Sequence, residues 1–134
     1  MEHSPRLGEG VSPRILIVDD SALLRKSLRR WFECEPEWQV TGEAANGREA
    51  IDKACELHPN IILLDLSMPE MNGLEAAKAL MKIMPAVPLV MFTSFMTANL
   101  ESEALACGIT KVLIKSDPIF ELIGCVRSLV HEAA

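Results

Sequence analysis

Residues 15–20 read ILIVDD and residues 61–65 read IILLD, so two short apolar runs end in Asp19-Asp20 and in Asp65. Short runs rich in Ile, Leu and Val are typical of strands buried on both faces of a parallel sheet. A third run, residues 112–114, ends at Lys115. Ligands of open α/β sheets bind beyond the carboxyl ends of the strands, so these charged residues are expected to share one edge.

The rest of the chain alternates strands with helices. Each apolar run is followed by a segment with helical spacing of its apolar residues, and Gly, Pro or Asn separates the two kinds of segment. Five such units predict one α/β domain, a parallel sheet with helices on both faces and right-handed crossovers. The units share no repeating signature, which argues against a solenoid, and no G-x-G-x-x-G follows the first strand, which argues against a dinucleotide-binding fold. Strands are predicted at 14–19, 39–44, 60–65, 88–93 and 111–115, and helices at about 22–34, from 47 to about 58, at 74–84, at 98–106 and from 118 onward.

Helix 1 is expected to face the core with Leu24, Leu28, Trp31 and Phe32. Its basic residues, Arg25-Lys26 and Arg29-Arg30, are expected to form a solvated face.

Composition narrows the class of protein. The length of 134 residues suits a single domain, and the formal net charge of −6 argues against nucleic-acid binding through a broad basic surface. No apolar stretch is long enough for a membrane span and no signal peptide is visible, so a cytoplasmic protein is expected. Residues 1–13 are expected to form a flexible tail and residues 14–134 the domain. The four cysteines, which are interpreted as reduced packing residues, are Cys34, Cys55, Cys107 and Cys125.

The charged strand ends suit phosphoryl chemistry with a divalent cation. Asp19, Asp20 and Asp65 would repel one another unless they share a cation, and Mg²⁺ prefers such oxygen ligands. A carboxylate such as that of Asp65 can attack phosphorus and form an aspartyl phosphate. Lys115 and the hydroxyl of Thr93 could then contact the phosphoryl oxygens. Each residue taken singly could be a plain cap or strand end, but the five are expected on one edge of one sheet.

The chain resembles the receiver domains of two-component response regulators over about residues 14–131. The motifs that carry the resemblance are residues 15–20, residues 64–69 (LDLSMP), Asn72-Gly73, Thr93-Ser94 and Lys115. The resemblance implies a flavodoxin-like, doubly wound sheet of five parallel strands in the order 2-1-3-4-5 with five helices.

The same resemblance assigns roles to the candidate residues. Asp65 would accept a phosphoryl group from a sensor histidine kinase or a histidine phosphotransfer protein. Asp19, Asp20, Asp65 and the backbone carbonyl of Ser67 would bind Mg²⁺. Thr93 and Lys115 would bind the phosphoryl group and alter the face formed by helix 4, strand 5 and helix 5. That face would then bind a downstream protein or a second copy of the chain, with no nucleic-acid or membrane contact by this chain.

A narrower likeness concerns residues 42–47, 71–76 and 113–117, which resemble receivers that precede a helix-turn-helix DNA-binding domain. Few residues follow helix 5, so the chain is interpreted as a stand-alone receiver or as the receiver portion of a longer transcriptional regulator. Val112 stands where many receivers have an aromatic residue that swings inward on activation. Phe95 is a candidate to take over that role or to slow water attack on the aspartyl phosphate.

Two alternatives belong to other classes. An aspartyl-nucleophile phosphohydrolase would need an acid two residues after the nucleophile, where this chain has Ser67, and a cap that the chain has no residues to build. A pseudo-receiver that never carries phosphate would have no need of the clustered charges. The sequence therefore predicts a phosphoacceptor switch rather than an enzyme that acts on an outside substrate.

Overall fold

The computed structural model describes residues 12–132 as a five-stranded parallel sheet in the order β2-β1-β3-β4-β5. This order and the alternation of strands and helices confirm the expected flavodoxin-like fold. Residues 1–11 of the expected tail and the last two residues lie outside the described part of the chain. The strands are β1 (Arg14–Val18), β2 (Gln39–Ala44), β3 (Ile61–Leu64), β4 (Leu89–Thr93) and β5 (Lys111–Ile114), and the helices are α1 (Ala22–Glu33), α2 (Gly47–Leu57), α3 (Gly73–Ile83), α4 (Ala98–Ala106) and α5 (Ile119–Glu132).

Strands β1 and β3 lie at the centre, and their carboxyl ends are level. Val18 pairs with Leu64 on one side and with Ala44 of β2 on the other. The side chains of β3 and the apolar residues of β1 are buried, because helices cover both faces of the sheet. The residues that follow Val18 and Leu64 therefore emerge side by side at one edge.

The two faces of the sheet are packed differently. The face covered by α2, α3 and α4 uses many small residues, among them Ala50, Ala54, Ala76 and Ala77. The face covered by α1 and α5 uses larger ones, including Phe32, Phe92 and Leu122. Alanines allow helices to approach the sheet closely, so one layer is built on short side chains and the other on larger ones.

Polar caps and left-handed residues set the helix ends. The side chains of Ser21, Asn46, Asn72 and Thr97 each accept a hydrogen bond from a backbone amide in the first turn of α1, α2, α3 and α4. His58 ends α2 in the left-handed region with φ of 51°, and Gly108 follows α4 with φ of 104°. Helix α5 begins at Ile119, one residue later than expected from Pro118.

Some expectations for single side chains were wrong. Trp31 is 51% exposed, although its spacing suggested an inward position. All four cysteines are free, but Cys34 and Cys55 are exposed rather than packed. Among residues 12–132, no helix has the length and apolar character needed to cross a membrane.

Candidate functional site

Two buried aspartates lie side by side where β1 and β3 end. The amide of Asp19 donates to the carbonyl of Ala44 at 3.0 Å, and the amide of Asp65 donates to the carbonyl of Val18 at 2.9 Å. The hydrogen-bond ladder of the sheet thus continues into the aspartates and fixes their backbones. Asp20 is exposed, and the three residues each offer a carboxylate oxygen within 4.8 Å of the others. The sequence prediction of an acidic cluster at this edge agrees with this geometry.

Lys115 reaches the cluster from the end of β5, the strand at one edge of the sheet. Its amide donates to the carbonyl of Thr93 at 2.7 Å, which anchors the residue just beyond β5. The ammonium nitrogen lies 2.8 Å from Oδ2 of Asp19 and 3.3 Å from Oδ1 of Asp65. One lysine therefore bridges the two buried carboxylates.

Burial and repulsion define the electrostatics of the site. Burial raises the pKa of Asp65, the charge of Asp19 raises it further, and the nearby Lys115 only partly offsets both effects. Burial alone would lower the pKa of Lys115, but the hydrogen bond and charge of Asp19, with those of Asp65, outweigh it and the pKa is raised. The lysine is thus held in its charged form.

The residues present fit a divalent cation. When all four groups are charged, three carboxylates face one ammonium, and two negative charges remain uncompensated. Carboxylate oxygens within 4.8 Å of one another are ligands of the type that Mg²⁺ prefers. Ser67, whose carbonyl was expected to complete the set, lies exposed two residues beyond Asp65.

A glycine packs directly against the phosphoacceptor candidate. The amide of Gly73 donates to the carbonyl of Leu66 at 2.8 Å. A Cβ atom at Gly73 would lie 2.2 Å from the carbonyl oxygen of Asp65, so only glycine fits at this backbone contact. Asn72 and Glu75 form a capping box at the same point, which fixes the start of α3. The turn residues of this loop therefore shape the site itself.

The hydrogen bonds of Thr93 in the loop after β4 are longer than those that fix the backbones of Asp19 and Asp65. Thr93 is buried, and its hydroxyl donates to the carbonyl of Phe95 at 3.3 Å and accepts from the Phe95 amide at 3.4 Å. The Phe95 side chain is 68% exposed. The structure thus brings Asp19, Asp20, Asp65 and Lys115 together, whereas the hydroxyl of Thr93, as far as residues 12–132 show, bonds within its own loop.

Sequence reasoning missed an arginine at the edge of the site. Nη1 of Arg25 donates to the backbone carbonyl of Asp19 at 2.6 Å, and Nε donates to Oε1 of Glu43 at 3.0 Å. The basic residues of α1 were expected to form a solvated face, which is wrong for Arg25 and for Arg29, both of which bind Glu43. It holds for Lys26 and Arg30, which are exposed.

Comparisons with known proteins agree with this geometry. Residues 15–127 match the family described as the response regulator receiver domain. The chain belongs to this family. It is 39% identical over 102 residues to the chemotaxis protein CheY of Thermotoga maritima, covering 76% of this chain and 84% of that protein. The crystal structure of the response regulator domain of Thermotoga maritima CheB superposes with a TM-score of 0.82 at 33% identity, covering 88% of this chain and 96% of that one.

The receiver is thus homologous to those of CheY and CheB, and the family serves as phosphorylation-controlled switches in two-component signalling. The chain is also 38% identical over 121 residues to a protein-glutamate methylesterase/protein-glutamine glutaminase of Methanosarcina acetivorans. That match covers 89% of this chain but only 34% of the methylesterase. The chain therefore spans about a third of the length of that relative.

Proposed function

We propose that Asp65 is the phosphoacceptor of this receiver and that its phosphorylation switches the chain between two conformations. The observation that carries the proposal is the bridge of Lys115 between two buried carboxylates, Asp19 and Asp65. A buried acidic pair is costly, and the ion pair to lysine only partly offsets the cost. A cation would neutralise the charge of the two carboxylates, and a phosphoryl group would bring oxygens that Lys115 can contact.

Asp19, Asp20, Asp65 and the carbonyl of Ser67 would hold Mg²⁺. When bound, the cation supplies charge neutralisation for the phosphoryl oxygens. An oxygen of Asp65 attacks phosphorus and forms the P–O bond of the aspartyl phosphate, while the bond from phosphorus to the donor breaks and the donor leaves with its electron pair. Lys115 leaves its ion pair with Asp65 and contacts a phosphoryl oxygen, and Thr93 donates its hydroxyl to another.

The change then passes to the partner-binding face. When Thr93 turns toward the phosphoryl group, its bonds to the backbone of Phe95 are lost, and the loop before α4 rearranges. We propose that the face of α4, β5 and α5 then binds a downstream protein or a second copy of the chain. The phosphoryl donor is a sensor histidine kinase or a histidine phosphotransfer protein, and the setting is cytoplasmic.

The chain acts in this scheme as a phosphoacceptor that assists only its own phosphorylation and dephosphorylation. Residues 14–134 are the proposed receiver unit, and Pro13, which is buried and accepts a hydrogen bond from the amide of Gln39 at 3.0 Å, packs with it rather than with the expected tail. A receiver within a longer regulator is also supported by two kinds of relative. The chain covers 34% of the methylesterase and 54% of the response regulator VraR. In that arrangement the same switch would control an attached output domain.

The test is intact-mass analysis after incubation with acetyl phosphate, with and without Mg²⁺. We expect the wild type to gain one phosphoryl group only with Mg²⁺, and Asp65→Asn to gain none. Asp52→Asn, at an exposed position on α2, is the matched control and should react like the wild type. No gain in the wild type would contradict the proposal and favour a pseudo-receiver.

A further inference from the structure

Arg25 is the side chain from α1 that reaches the backbone of the acidic loop. It donates from Nη1 to the carbonyl of Asp19 at 2.6 Å and from Nε to Glu43 on β2 at 3.0 Å. Its side chain is only 17% exposed. A guanidinium that binds two acceptors at once in a partly buried setting is held in a single orientation. Arg25 therefore ties α1, β2 and the end of β1 to one another.

The backbone that Arg25 holds is also fixed on both of its sides, but Arg25 is the side chain that binds the Asp19 carbonyl. The amide of Asp19 belongs to the sheet ladder through Ala44, and Oδ1 of Asp19 accepts the amide of Ser21 at 2.9 Å. Oδ2 of Asp19 is the oxygen that binds Lys115. The carbonyl of Asp19 precedes Asp20, so its orientation sets the direction in which the chain presents the exposed carboxylate of Asp20.

Arg29 provides an internal comparison on the same helix. Its Nε donates to the other oxygen of Glu43, Oε2, at 2.8 Å, and Nη1 donates to Glu33 at 3.1 Å. Both arginines thus connect α1 to Glu43, but in the described structure only Arg25 bonds to the carbonyl of Asp19. Replacing each arginine in turn therefore distinguishes loss of the link between α1 and β2 from loss of the hydrogen bond to the acidic loop.

Glu43 also explains how an arginine can lie next to a cation site. Burial alone would raise the pKa of Glu43, but the hydrogen bonds from Arg29 and Arg25 outweigh it and the pKa is lowered. Glu43 is therefore charged and offsets the guanidinium beside the acidic cluster. Arg25 can position the carbonyl of Asp19 without cancelling the negative charge that the site presents.

We propose that Arg25 is a positioning residue for the proposed metal and phosphoryl site, acting through the backbone of Asp19 to orient Asp19 and Asp20. Partners of this kind, one step removed from the ligands, typically change metal affinity by about 10-fold to 100-fold when they are removed. The role in metal binding rests on the proposed function, whereas the hold on the loop can be measured without metal.

The first measurement is amide hydrogen exchange in metal-free protein for the wild type, Arg25→Met, Arg25→Lys and Arg29→Met. We expect the amides of Asp19 and Ser21, which are hydrogen-bonded in this loop, to exchange about tenfold faster in Arg25→Met, because the local opening costs less. Leu63 in the core should change no more in Arg25→Met than in Arg29→Met. Arg29→Met should leave the amides of Asp19 and Ser21 at wild-type rates relative to Leu63. Lysine at position 25 can bind one of the two acceptors, so Arg25→Lys should lie between Arg25→Met and the wild type.

The second measurement is calorimetric titration of the same four proteins with MgCl₂. Arg25→Met should bind Mg²⁺ about 10-fold to 100-fold more weakly, with Arg29→Met within about twofold of the wild type. Unchanged exchange at Asp19 and Ser21 in Arg25→Met would overturn the positioning role, and so would an equal effect in Arg29→Met. A wild type that binds no Mg²⁺ would instead contradict the proposed function. The exchange rates would still show whether Arg25 stabilises the loop.

Discussion

The two halves of the candidate site differ in how firmly the chain holds them. At the ends of β1 and β3, sheet hydrogen bonds, Arg25 and the contact with Gly73 fix the backbones of Asp19 and Asp65. At the end of β4, the hydroxyl of Thr93 makes two long hydrogen bonds to a single residue whose ring is largely exposed. The difference indicates a rigid half, which would carry the proposed chemistry, and a looser half, which could respond to it.

Lys115 connects the two halves, and its removal should have the largest effect. We expect Lys115→Met to slow phosphorylation by acetyl phosphate roughly 100-fold or more, because a preorganised charge at the developing phosphoryl oxygens is lost. Initial rates from intact-mass time courses measure the effect. Lys111→Met, at an exposed position at the start of β5, should retain the wild-type rate. An equal loss in both variants would mean that the bridge to Asp19 and Asp65 is unimportant.

The fit of Gly73 is the sharpest test of the rigid half. A methyl group there would lie against the carbonyl of Asp65, so Gly73→Ala should lower the free energy of unfolding by about 1–3 kcal/mol. Gly124→Ala on α5 is the control, since a Cβ there meets nothing within 4 Å, and it should stabilise by up to about 1 kcal/mol. Urea unfolding of both proteins gives the comparison. Equal stabilities would contradict the backbone contact.

The contributions of Asp65 and Glu43 to the free energy of unfolding should change with pH in opposite directions. Because burial and Asp19 raise the pKa of Asp65, the folded metal-free protein binds that proton more tightly than the unfolded chain. Asp65 therefore lowers stability at pH 7, and this cost vanishes as the pH falls below about 3.9, the ordinary pKa of aspartate. In EDTA we expect Asp65→Asn to melt a few degrees above the wild type at pH 7, with a smaller difference in acid.

Glu43 provides the opposite case. Burial would raise its pKa, but the bonds from Arg29 and Arg25 lower it, so the ionised group stabilises the fold above about pH 4.3. This stability is lost as the pH falls through the lowered pKa of the folded protein. Glu43→Gln should therefore melt below the wild type at pH 7. A variant that melts higher would show that the arginines are not stabilised by Glu43.

The smallest effect is expected for the side chain of Phe95. Its ring is 68% exposed, so Phe95→Ala should change the free energy of unfolding by less than about 0.5 kcal/mol. Phe120→Ala, at the same exposure on α5, is the control for general loss of an aromatic group. If the ring shields the aspartyl phosphate from water, dephosphorylation will be faster in Phe95→Ala alone. An unchanged rate would exclude that role.

The same comparison separates what the sequence could predict from what it could not. Strand ends could be predicted because buried apolar runs stop abruptly at charged residues such as Asp19 and Asp65. Parallel strands then carry those residues to one edge. The fold and the acidic cluster follow from these local patterns together with the family resemblance.

Contacts that depend on strand register could not be predicted in this way. Arg25 binds Glu43, 18 residues further along the chain, because β2 pairs with β1 so that Glu43 lies opposite Ile17. No local pattern in α1 specifies that register. The prediction that Trp31 faces the core was wrong for a related reason. The sheet covers only a narrow stripe of α1 that contains Leu28 and Phe32, at i and i+4, and Trp31 lies just outside this stripe.

The placement of Trp31 has a practical consequence for spectroscopy. The chain has two tryptophans and no tyrosine, so its intrinsic fluorescence comes from Trp31 and Trp38 alone. Trp31 faces solvent, whereas the ring of Trp38 lies 6.0 Å from that of Phe32 and 5.8 Å from the guanidinium of Arg127 on α5. Changes in emission will therefore come chiefly from Trp38, as a natural probe of how α5 docks beside α1.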